Sequence, residues 1–141
     1  MLRLFKIKKK TGRSRILIVD DQPELVDTIR RRLEYFNWDV ITASNGQEGL
    51  RNAESKKPDL ILLDIDMPVM NGHEMLRHLR TNSTLKKIPV IMCTASDNLQ
   101  DITQASSKNI CDYVTKPFNC AELVEKITIA LNSNKKQRSI L

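Results

Sequence analysis

Short uninterrupted apolar runs alternate along this chain with stretches whose apolar residues recur at helical spacing. The runs are Ile16-Leu17-Ile18-Val19, Leu60-Ile61-Leu62-Leu63, Val90-Ile91-Met92-Cys93 and the shorter Tyr113-Val114, with Val40-Ile41 a weaker fifth. Runs this short and rich in branched side chains fit strands buried on both faces of a parallel sheet. Between them, Leu25, Val26, Ile29 and Leu33 share one helical stripe, Met75, Leu76 and Leu79 a second, and Leu123, Val124, Ile127 and Leu131 a third. Start signals agree with these helices. Asn45 followed by Glu48 resembles a capping box with Asn in the Ser/Thr place. Asn71, Asp97 and Asn119 are N-cap candidates, and Pro23 fits a first helical turn.

The pattern is a strand and a helix repeated five times in about 115 residues. Such alternation predicts right-handed crossovers and a parallel sheet covered by helices on both faces. Ligands of such sheets bind outside the carboxyl ends of the strands, near the point where strand order reverses. The 141 residues predict one domain with a core large enough to need no staples. No apolar run approaches the roughly 20 residues of a bilayer span. The start, MLRLFKIKKKTGR, has charge without a continuous apolar segment, which argues against a signal peptide. Cys93, Cys111 and Cys120 form no CxxC pair and read as reduced, partly buried thiols.

Net charge changes the picture only when it is placed. The total is +6, but residues 1–15 hold seven Lys/Arg and residues 132–141 three more, with no acid in either. The stretch between keeps 13 bases against 17 acids, so the expected folded body is acidic between basic ends. The organisation read from this is a basic N-terminal tail at 1–14, one domain at 15–132 and a basic C-terminal tail at 133–141, both tails solvated.

The residues just past each run carry the chemistry. Asp20 and Asp21 follow the first, Asp64 and then Asp66 the run from Leu60, Thr94, Ala95 and Ser96 the run from Val90, and Lys116-Pro117 the last. Singly, each has a bland explanation: an Asp pair or a Thr caps a helix, a Lys-Pro makes a turn. Together they fall on one rim of one sheet. Three carboxylates there would raise one another's pKa unless a cation intervened. Oxygen-only ligands suit magnesium, which keeps several waters and needs few protein ligands. Lys116 adds a fixed positive charge and Thr94 a hydroxyl, a set able to hold a phosphoryl group over a carboxylate nucleophile.

These residues resemble the receiver domain of two-component response regulators. The segments that carry the resemblance are ILIVDDQPE at 16–24, PDLILLDIDMPVMNGHEML at 58–76, IPVIMCTAS at 88–96 and DYVTKPF at 112–118, within about residues 15–132. Their spacing is 43 residues from Asp21 to Asp64, 30 on to Thr94 and 22 on to Lys116. The resemblance implies a flavodoxin-like, doubly wound (βα)5 three-layer sandwich with parallel strand order 2-1-3-4-5. It implies that Asp64 is the phosphoacceptor, and that Mg2+ is bound directly by Asp21, through water by Asp20, and by Asp64 and the backbone carbonyl of Asp66. Thr94 would bind a phosphoryl oxygen and move inward after phosphorylation, with Tyr113 following it as the switch aromatic. Lys116 would pair with another phosphoryl oxygen, and the Lys116–Pro117 peptide would be cis. Gly72 would free the turn before the next helix.

Two positions depart from the family. Asn109 and Ile110 stand where Gly-Ala is usual; Asn tolerates left-handed backbone, whereas Ile adds bulk before the last strand. Gln22 and Asp66 fall where the family varies. The implied function is a phosphorylation-switched regulator that takes its phosphoryl group from a sensor histidine kinase or histidine phosphotransfer protein. Its only catalysis would be its own phosphorylation and autodephosphorylation. Output would pass through the last two helices and last strand to a protein target. A cytoplasmic monomer or a weak phosphorylation-dependent dimer is expected, without room for a DNA-binding effector domain.

Two rival readings compete with this one. Asp64-Ile65-Asp66 echoes the opening motif of haloacid-dehalogenase-type phosphatases, but Pro68 occupies the Thr/Val place and the acidic pair lies upstream. A binding module acting through the basic ends is the other. Leu2, Leu4, Phe5 and Ile7 among Arg3, Lys6 and Lys8 would fit an extra strand, a dimer contact or a membrane-surface arm. His73 and His78, five residues apart on a helix, are badly spaced to share a metal and read as exposed.

Overall fold

The computed structural model describes residues 12–95 and 110–140, without the side chains of 135–140. Five parallel strands form one sheet: β1 (Arg15–Val19), β2 (Asp39–Ala43), β3 (Leu60–Asp64), β4 (Val90–Thr94) and β5 (Asp112–Thr115). Their order is β2-β1-β3-β4-β5, as the resemblance implies. Among the described residues the helices are α1 (Pro23–Tyr35), α2 (Gly46–Lys56), α3 (Gly72–Thr81) and α4 (Cys120–Ile140). The expected helix after β4, its cap Asp97, Ser96, Asn109 and residues 1–11 lie outside the described residues.

The alternation of each strand explains the layers. Leu17, Val19, Ile61, Leu63, Val90 and Met92 face one way and pack with Ala53 of α2 and Met75, Leu76 and Leu79 of α3. Ile16, Ile18, Leu60, Leu62, Ile91 and Cys93 face the other way, against Ile29 and Leu33 of α1 and Leu123, Ile127 and Leu131 of α4. The central strands β1, β3 and β4 are therefore apolar except at the end residues Arg15, Asp64 and Thr94, because both of their faces are covered. Ile110, the bulky departure before β5, packs partly buried against the first of these clusters. The next residue continues the ladder, with Cys111 N–H donating to Val90 O at 3.0 Å.

The capping expectations are sorted by geometry. The full capping box is at Asn71, whose side chain accepts from Glu74 N while Glu74 returns to Asn71 N. At Asn45 only half forms. Asn45 Oδ1 accepts from Glu48 N at 2.9 Å, but the Glu48 carboxylate turns to the backbone N and hydroxyl of Ser44 instead. Asn119 caps α4 by accepting from Glu122 N, and Pro23 opens α1. The boundary read at 132 is not a break in backbone structure, because α4 continues as helix through Ile140. His73 is half-buried with both ring nitrogens shielded from solvent, unlike exposed His78, so the expectation of two surface histidines is corrected for His73.

Candidate functional site

The sheet's hydrogen-bond ladder runs on into the site. Asp20 N–H donates to Ala43 O at 3.1 Å, Ile65 N–H to Cys93 O at 3.3 Å and Lys116 N–H to Thr94 O at 2.6 Å. Asp64 and Thr94 are themselves the last residues of β3 and β4. Backbone pairing thus fixes where each of these side chains starts, and places all of them at the carboxyl rim beside the β1/β3 reversal.

Among the described residues, Asp20, Asp64 and Thr94 are the buried polar ones in an otherwise apolar core. Asp21 is exposed at the lip. One ligand oxygen from each of Asp20, Asp21 and Asp64 lies within 4.8 Å of the others. Lys116 reaches into this group: Nζ donates to Asp20 Oδ2 at 2.7 Å, to Gln22 Oε1 at 3.2 Å and to Asp64 Oδ1 at 3.3 Å. Asp20 Oδ1 is also held by Gln22 N–H at 3.0 Å. An open cleft of about 730 Å³ lies over these groups, bounded by Asp21, Asp64, Asp66, Ala95, Lys116 and Phe118.

The electrostatics are those of a site short of positive charge. Burial, followed by the neighbouring Asp20 carboxylate, pushes the Asp64 carboxyl up to about 6, and Lys116 only partly offsets this. Burial alone would lower the Lys116 ammonium, but Asp20 and Asp64 outweigh it and hold Lys116 above its ordinary value. One lysine against three carboxylates leaves the cluster net negative. Three converging carboxylate oxygens of which one remains uncomfortable when ionised are a donor set that fits a hard divalent cation such as Mg2+. Cys93 stands behind the site on β4; burial pushes its thiol up to about 12, so it stays protonated.

Gly72 has a role different from the one expected. Its φ is not left-handed; a Cβ there would overlap the Asp64 carbonyl oxygen and lie 2.8 Å from Ile65 Cα. Gly72 N–H donates to Ile65 O at 2.8 Å, so α3 starts directly against the backbone that carries Asp64. The left-handed residue of this loop is Val69, φ 70°, inside a three-residue turn closed by Met70 N–H to Pro68 O at 2.8 Å. The Lys116–Pro117 peptide is cis, as implied. Tyr113 is partly exposed on β5, with Lys126 Nζ 5.5 Å from its ring centre. Asp66 is exposed at the cleft margin. Gln22 is the contact residue the sequence left unassigned; its only signal was its place directly after the acidic pair.

Comparison with known proteins agrees with this geometry. The response regulator receiver domain family matches residues 16–128. The alkaline phosphatase synthesis transcriptional regulatory protein PhoP of Bacillus subtilis is 37% identical over 121 residues, which are 86% of this chain and 50% of that protein. The DNA-binding dual master transcriptional regulator RpaA of a Synechocystis species is 37% identical over 117 residues, 83% of this chain and 48% of that protein. The chain thus spans about half the length of these curated relatives. Among solved structures, a CheY-like response regulator receiver domain protein of Methanospirillum hungatei has a TM-score of 0.84 at 31% identity, covering 89% of this chain and 99% of that one. Chemotaxis response regulator CheY4 of Vibrio cholerae has a TM-score of 0.80 at 27% identity, covering 84% and 99%. The chain therefore belongs to the receiver domains of two-component response regulators, a family whose role is that of a phosphorylation switch.

Proposed function

We propose that Asp64 accepts a phosphoryl group from a phosphohistidine on a sensor histidine kinase or histidine phosphotransfer protein. The observation that carries this reading is the Lys116 ammonium bridging buried Asp20 and Asp64 at the floor of an open cleft, with Asp21 in the same cluster. An Asp64 oxygen attacks phosphorus as the phosphorus–nitrogen bond to the donor imidazole breaks, and the imidazole nitrogen takes up a proton. Lys116 holds one phosphoryl oxygen and the Thr94 hydroxyl a second. Asp20, Asp21 and Asp64, with the Asp66 backbone carbonyl, would hold Mg2+, which when bound offsets charge on the transferring group. Water attack on the aspartyl phosphate restores Asp64.

The switch follows from what the new charge attracts. A dianion on Asp64 favours the state in which Thr94 closes on it and Tyr113 turns inward, so output is a population shift at the β5–α4 surface. A cytoplasmic setting is consistent with the free thiols of Cys93, Cys111 and Cys120.

Labelling with acetyl phosphate and Mg2+ tests the assignment. Wild type is expected to gain one acid-stable, base-labile phosphoryl group, and Asp64→Asn none. Full labelling of Asp64→Asn would overturn the proposal. Asp66 borders the cleft and its carboxylate bears on water access there; the phospho-form of Asp66→Asn should decay at a different rate from wild type. Equal half-lives would remove Asp66 from the hydrolytic step.

A further inference from the structure

The same topology that gathers acids at one end of the sheet gathers bases at the other. Strands start and helices finish at this second pole. Arg13 and Arg15 precede or open β1, Lys56 closes α2 with Lys57 just after, and Lys86-Lys87 lie ahead of β4. Contacts join them into one surface. Arg13 Nε donates to Asn37 O at 3.2 Å, and Arg15 Nη1 donates to Lys56 O at 2.7 Å. Beyond Lys57 a shallow groove of about 1020 Å³ opens, with Arg80, Lys86 and Lys87 among its walls. Arg13, Lys56, Lys57, Lys86 and Lys87 are all exposed. The bases here outnumber the acids, which are Asp39, paired with Arg15 at 2.7 Å, Asp112, paired with Lys126 at 3.1 Å, Asp59, which accepts from Arg15 N–H at 2.8 Å, and at the helix ends Glu34, paired with Arg30 at 3.1 Å, and Glu54, which accepts from Asn82 Nδ2 at 3.4 Å.

Aromatic surface lies on the same pole. Tyr35 and Phe36, at the end of α1, are 78% and 44% exposed and stack edge to face, ring centres 5.3 Å apart. They adjoin Asn37, whose carbonyl receives Arg13. The chain enters the body here as well. The residues before Gly12 are Leu2, Leu4, Phe5 and Ile7 mixed with Arg3, Lys6, Lys8, Lys9 and Lys10. The sequence positions of Lys135, Lys136 and Arg138 fall in the last turns of α4, which runs from the acidic rim toward this pole.

We infer that this pole is a docking surface for an anionic lipid bilayer. Cations in this number attract a negatively charged leaflet, and exposed Tyr and Phe sit favourably at the headgroup level. The aliphatic residues of the N-terminal segment favour lipid over nucleic acid, because a phosphodiester backbone offers Leu and Ile no apolar environment. Docked this way, the molecule turns the Asp64 cleft and its acidic rim away from the leaflet and toward partner proteins.

Vesicle flotation of the full chain tests this. Vesicles of phosphatidylcholine with about one-third phosphatidylglycerol should carry the protein, and phosphatidylcholine alone should not. Binding should fall steeply as salt is raised. Lys86→Gln/Lys87→Gln should weaken it roughly tenfold or more, since each charge near the surface counts for about fivefold. Tyr35→Ser should weaken it with little change in the thermal melt, its side chain being largely exposed. Equal binding to neutral vesicles, no binding to either, or unchanged binding by both variants would overturn the inference. So would tighter binding to duplex or single-stranded DNA than to the anionic vesicles at the same salt.

Discussion

Asp64 is a buried carboxyl held against its ionisation preference, and that has a sign. In the unfolded chain its pKa is near 3.9, while in the folded chain burial and Asp20 push it up to about 6. Below pH ~4 it is protonated in both states and costs nothing. Between about 4 and 6 the unfolded chain loses its proton first, so stability falls as pH rises; above that the cost is complete, about 2–3 kcal/mol. Asp64→Asn should therefore stabilise the metal-free protein at pH 8 by roughly 1–2 kcal/mol and confer no gain at pH 4. Urea melts in chelator at the two pH values check this, and a gain independent of pH would refute it. Val69 makes a second case. A β-branched residue at φ 70° pays roughly 1–2 kcal/mol, and its side chain is exposed, so Val69→Gly loses no packing. After the entropic cost of glycine, the net gain should be about 0.5–1 kcal/mol by the same urea melts; a loss would show that the turn is not strained. Residues such as Asp64 and Lys116 were legible because each ends an apolar run. Val69 and Gln22 were not, because a backbone angle and a side chain's reach across the rim leave no periodic trace.

The elements were legible where burial dictates pattern. Three of the five strands, β1, β3 and β4, carry four-residue apolar runs because helices cover both faces, whereas β2 and β5 read weakly because they lie at the two sheet edges with most of their residues not fully buried. Helix starts were legible as Asn followed by an acid three residues on. Which Asn closes the full box was not, since Glu48 had a competing partner in Ser44 that spacing could not reveal. Gly72 shows the same limit. Its presence before α3 was plain, but only packing shows that the helix begins in van der Waals contact with the Asp64 carbonyl. Gly72→Ala should thus push α3 off β3 and destabilise the domain by about 1–3 kcal/mol. It should also slow acetyl phosphate labelling, because the Asp64 backbone must shift. A variant that is destabilised yet labels at the wild-type rate would show that α3 yields without moving Asp64.

At the scale of the molecule, the parallel sheet sorts charge to its two ends, and the acidic end is stable only conditionally. A cation that binds the folded cluster and not the unfolded chain adds stability by mass action, about 2.7 kcal/mol at one hundred times its dissociation constant. That gain and the cost of ionised Asp64 arise from the same three carboxylates. The two effects therefore predict a reversal. In chelator at pH 8, Asp64→Asn should melt above wild type. In saturating Mg2+, wild type gains most of the binding term, the variant gains less because it has lost a charged ligand, and the order should invert. Trp38 does not lie at the acidic rim; it directly precedes β2, at the pole where strands begin, so its fluorescence reports unfolding without reporting occupancy of the cleft. Melts of both proteins followed at Trp38, with and without Mg2+, therefore read stability alone. If the two curves keep the same order in both conditions, the Asp20, Asp21 and Asp64 cluster is not where the cation acts. An inverted order would tie the destabilising charge to the binding site within one folded unit.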